Sequence, residues 1–123
     1  MRAASGVAAV AATVLIASPA LAAMDVATFI AKGEALKAKG MMAVFSKDLK
    51  VVRAEAQAAS RGFQADKAAR AKAGQPPISC PPPGAKLGAM DFFAELKKIP
   101  IVERSMPLKD GMAWVSRRKF PCR

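Results

Sequence analysis

Five of the nine prolines in this 123-residue chain fall between residues 75 and 88, around the first of its two cysteines. Gln75-Pro76-Pro77 and Cys80-Pro81-Pro82-Pro83-Gly84 lack the amide donors that a helix or a central strand needs. The segment is therefore a stiff strap of low conformational entropy. The remainder must fold as separate elements on either side of it.

The chain opens with an export signal. Arg2 supplies a small positive region, residues 3–17 are rich in Ala and Val, and Pro19 precedes Ala20-Leu21-Ala22, a small-x-small cleavage site. The uncharged run is shorter than the roughly 20 residues a membrane span needs, so an uncleaved anchor is the lesser reading. Residues 1–22 are thus read as a signal peptide and 23–123 as one mature domain, which places the protein in the periplasm. A domain of that size buries a core but remains marginal. Two cysteines in an exported chain most simply form one disulfide, Cys80 to Cys122, with intermolecular pairing as the alternative. On the chain-entropy account such a bridge contributes up to about 4 kcal/mol.

The periodicity is helical throughout, which predicts an all-α fold: a small bundle of about four helices with the proline-rich strap stapled to it. A first helix over 25–39 is capped by Asp25, turns Val26, Phe29, Ile30, Gly33 and Leu36 to one face, and closes at Gly40. Met41 to Phe45 make a short apolar connection of about one turn. Ser46 caps a long helix ending at Gly74, with a seam of Leu49, Val52, Ala56, Ala59 and Phe63. Beyond Phe63 the seam fails, so the turns carrying Lys67, Arg70 and Lys72 are expected to be solvated or to project beyond the body. A third helix over 89–99 points Met90, Phe93, Leu96 and Ile99 inward before Pro100 stops it. Ser105 caps the last helix, with Pro107 in its first turn and Leu108, Met112 and Val115 as its inner stripe. Arg117, Arg118 and Lys119 load its final turn, where cations meet the helix dipole favourably.

Catalysis is not expected. The chain has no His, which removes the commonest general base and metal ligand, and both cysteines are spent in the bridge. Asp91 and Glu95 share a helix face at i, i+4, but Lys97 and Lys98 stand beside them, so a solvated charged face is expected there rather than a carboxylate pair. No cofactor and no metal site is expected. The formal charge of +11 is the remaining functional signal. It suits an acidic protein partner or an anionic envelope surface. Nucleic acid is not expected as a partner, because basic and aromatic residues do not interleave. A stable membrane span is not expected either. The cationic clusters Lys67, Arg70, Lys72 and Arg117, Arg118, Lys119 are the candidate partner-binding residues. The 24–36 stretch and the flanks of Phe92 and Trp114 are candidate surfaces for a homodimer.

Five blocks, in order, carry a resemblance to a known family: GEALKAKG at 33–40, FSKDLKVVRAEAQAA at 45–59, ISCPPPGAKL at 78–87, KKIPIVERSM at 97–106 and LKDGMAWVSRRKFPC at 108–122. Together they resemble the Tai/Rap immunity domain across essentially the whole mature chain. Met41-Met42 after the first block and Gly111 inside the last helix depart from its pattern. The resemblance implies a small periplasmic helical protein, often dimeric, with the Cys80–Cys122 bridge. It also implies a non-enzymatic function: binding a peptidoglycan-cleaving amidase effector of type VI secretion and obstructing its cleft. The alternative is an orphan, cationic, envelope-associated module held to anionic surfaces by its helix ends.

Overall fold

The computed structural model describes residues 23–123; the segment read as a signal peptide, with the expected cleavage site at Ala20 and Ala22, lies outside them. Four helices carry the described chain: α1 (Val26–Lys39), α2 (Lys47–Lys72), α3 (Ala89–Leu96) and α4 (Leu108–Lys119). Short 3₁₀ turns occupy Gly40–Phe45 and Ile101–Glu103. No strand occurs among the described residues, and no helix there is long and apolar enough to cross a membrane.

The caps of the first two helices are those the sequence dictates. The Asp25 carboxylate accepts from the Thr28 amide at 2.7 Å, and its pKa is held below the ordinary value by the Thr28 side chain first and by that amide second. Ser46 Oγ accepts from the Asp48 amide at 3.2 Å. Gly40 closes α1 with φ 57°, a conformation glycine adopts without steric cost. The last helix starts differently from expectation. Its N-cap is Pro107, not Ser105, and no side chain caps it. Main-chain pairing replaces the cap: the Leu108 amide donates to Met24 O and the Val26 amide to Met106 O, each at 3.0 Å. The start of α4 is thereby clamped to the start of α1.

The core is drawn from α1, the α3 region and α4. Val26, Leu96, Ile99, Leu108 and Val115 are fully buried, with Phe29 and Ile30 beside them. The apolar face of α1 (Val26, Phe29, Ile30 and Leu36) is spent inside the molecule, while Ala27, Thr28, Ala31 and Ala35 of the same stretch face solvent. Although α2 is the longest helix, none of its residues is buried. Val52, Ala56 and Ala59 press its expected seam against the core as a half-buried brace.

Two details of the third helix correct the expectation. It ends at Leu96, and Ile99 reaches the core from the following turn. Met90 faces solvent at 65% exposure. Each step of three residues falls about 60° short of a full turn, so Met90 stands about 120° from Leu96 around the helix. Glu95, not Met90, occupies the inward stripe with Phe92 and Leu96; only 5% of it is exposed.

Gly111 has a packing reason. A Cβ there would lie 2.6 Å from Val26 Cγ2 and 3.2 Å from Leu96 Cδ2, so α4 approaches α1 and α3 as closely as it does only with glycine at this position.

Candidate functional site

The two cationic clusters, 45 or more residues apart in sequence, are brought to one end of the molecule by the packing of α2 on α4. The strap is fixed across that end. Cys80 is bonded to Cys122 with their Cα atoms 4.9 Å apart, and the Cys80 amide donates to Phe120 O at 2.8 Å. The buried Ser79 hydroxyl pairs with that of Ser116 on α4. From the α2 side, Arg70 Nε donates to Pro76 O at 2.9 Å. The C-terminal tail, the strap and the two helix ends thus form one clamped unit.

Each candidate cation takes a definite place there. Arg70 and Arg117 line the same open groove, shared with Asp66, Asp110 and Ile78 of the strap. Lys67 stands one turn before Arg70 on α2, its ammonium 5.5 Å from the centre of the Phe63 ring. It borders an adjoining groove of about 350 Å3, walled by Phe63, Leu87, Phe92, Met112 and Phe120. Lys72 is exposed at the end of α2. Arg118 stacks over Trp114 at 5.3 Å. Lys119 is drawn away to Glu95, at 3.2 Å. The structure therefore unites Lys67, Arg70 and Arg117 on the strap end, leaves Lys72 at its rim, and engages Arg118 and Lys119 in contacts of their own.

The expectation that the end of α2 projects freely is corrected by the same contacts. Asp66 Oδ2 accepts from Lys109 Nζ at 3.0 Å, tying α2 to α4 and raising the Lys109 pKa through that hydrogen bond. Lys67 and Arg70 are half-buried. Glu95 is also corrected: it is a buried acceptor for Lys98 at 2.7 Å and Lys119 at 3.2 Å, not part of a solvated face. The Lys98 hydrogen bond is the main cause that holds its carboxyl below the usual range, with Lys119 adding to it. Asp91 is exposed and does not join it. Glu95 was detectable from its place between Phe92 and Ile99 on the inward line; the Arg70–Arg117 juxtaposition was not, since it depends on how α2 crosses α4.

The chemistry open to this end is binding through charge and shape. Arg117 offers a forked donor to an incoming carboxylate, and Arg70 its remaining guanidinium N–H groups, in a groove they share with Asp66 and Asp110. No group of three His, Cys, Asp or Glu side chains that could hold a metal ion occurs among the described residues. No protein-family model, curated protein or solved structure matches this chain.

Proposed function

We propose that this chain is a periplasmic immunity protein of the Tai/Rap type, which binds a peptidoglycan-cleaving amidase effector of type VI secretion and occludes its active-site cleft. The mechanism is steric: no bond is made or broken, and affinity comes from a pre-formed surface that fits the enzyme. The observation that carries the reading is the convergence of Lys67, Arg70 and Arg117 on a strap clamped by the Cys80–Cys122 bridge. A rigid cationic face loses little entropy on binding and suits an acidic rim around a cleft. The five sequence blocks that resemble the family support the partner class.

The test is capture by the mature, oxidised protein from periplasmic extract and from the secretions of neighbouring strains, with mass-spectrometric identification. The expected outcome is one peptidoglycan amidase at near one-to-one ratio, released by salt. Replacing Lys67, Arg70 and Arg117 together by Ser should weaken capture by about tenfold or more, the scale of losing a few steering charges. Recovery of assorted anionic wall fragments in place of a single protein would replace this reading with that of an envelope-associated module.

A further inference from the structure

At the other end of α2, the turn Gly40–Phe45 buries none of its residues. Met41 is 91% exposed, Phe45 81%, and Met42 and Val44 each 66%. Four large apolar side chains in water on one short turn form a concentrated patch, unlike apolar residues scattered singly over a surface. Exposed cations flank it in sequence on both sides: Lys39 before it, Lys47 and Lys50 after it, and Arg53 one turn further along α2. The carboxylate of that stretch, Asp48, is occupied by Lys32 at 3.4 Å.

We propose that this turn is a docking tip for an anionic phospholipid bilayer. Its side chains enter the acyl boundary while the neighbouring lysines meet the headgroup phosphates. The chemistry favours lipid over the other occupants. A second copy docked tip to tip would set the same cations against each other, because a two-fold contact repeats each surface patch. A protein socket draws its energy from Trp, Tyr and Arg anchors, whereas this tip is Met, Val and Phe bordered mainly by Lys. Long lysine stems can lie along the apolar surface with their ammonium groups at the headgroup level, and apolar insertion combined with charge is what surface-bound elements use. The inference is independent of the amidase reading, since it concerns the opposite end of a 26-residue helix, about 39 Å away.

The experiment is co-sedimentation of the mature, oxidised protein with phosphatidylglycerol-containing vesicles and with pure phosphatidylcholine vesicles, at low and high salt. Expected is binding to the anionic vesicles, weaker by about tenfold or more on neutral ones and at high salt. Met42→Ser with Phe45→Ser should reduce partition to anionic vesicles by at least about tenfold at unchanged charge. Ile101→Ser with Val102→Ser, which removes exposed apolar surface elsewhere, should leave it within about twofold. Thermal melts of both variants check that the fold is retained. Wild-type partition by the Met42/Phe45 variant would overturn the proposal, as would equal binding to neutral vesicles. So would a lipid-free dimer, seen by sedimentation velocity, that the same substitutions abolish.

Discussion

At the C-terminal end of α2, Arg70 is bonded to the strap, Asp66 to α4, and the strap to the C-terminal tail through a disulfide, a main-chain bond and a serine pair. At its N-terminal end, the turn Gly40–Phe45 holds four apolar side chains in solvent, and its main fixtures are the Gly40 and Ser46 caps. Both ends are cationic, yet they spend their residues differently. One uses polar and covalent ties to fix a surface in advance, as recognition of a single shape requires. The other leaves apolar area uncovered on a small turn, as insertion into a fluid phase requires. Positive charge alone therefore does not describe this protein; what the cations border decides which partner each end suits.

Loss of the bridge breaks the comparison most severely. Cys80→Ser should lower unfolding free energy by about 2–5 kcal/mol in urea titration, with the reduced wild type close to it. Coincident melting of reduced and oxidised protein would mean that the strap end is held without its covalent tie. Next in size is Gly111→Ala, which drives a methyl into Val26 and Leu96. Overpacking should outweigh the helix-propensity gain and cost about 1–2 kcal/mol net. A stabilised variant would show that α4 does not need its close approach to α1.

A third variant sharpens the electrostatics at the end of α4. The Glu95 carboxyl titrates in the folded state below its ordinary value of 4.5, chiefly because of Lys98. The unfolded chain therefore binds more protons in the window beneath that value. The contribution of Glu95 is full above it and lost as pH falls through the folded pKa. Glu95→Gln should flatten that acid limb in urea titrations repeated at several pH values, while an unchanged slope would assign the limb to other carboxylates. The smallest effect is expected at the tip, where Phe45→Ser should change stability by no more than about 0.5 kcal/mol, since little native contact is lost.

Much of this fold was legible because local chemistry decides it. Asp25 and Ser46 cap where caps were expected, the strap fails to be helical because its prolines forbid it, and the cysteines meet. The misreadings arose where a pattern was extended too far or tertiary structure intervened. Stepping by three from Leu96 back to Met90 carries the line about a third of the way around the helix and conceals Glu95. Ser105 has the right chemistry for a cap, but pairing with residues 24–26 fixed the start of α4 at Pro107. The union of Arg70 with Arg117 depends on a helix crossing that no local signal encodes. The exposure of Met41 to Phe45 was hidden for the same reason, because an apolar turn reads alike whether a neighbour covers it or not.

In the proposed mechanism the strap end inhibits by occupying an enzyme's cleft. Its most direct test is titration of the mature, oxidised protein into a muropeptide-release assay with the captured amidase. Activity should fall linearly and reach baseline at one equivalent, with the Lys67/Arg70/Arg117 serine variant needing a large excess. Undiminished muropeptide release with the wild-type protein in excess would contradict it.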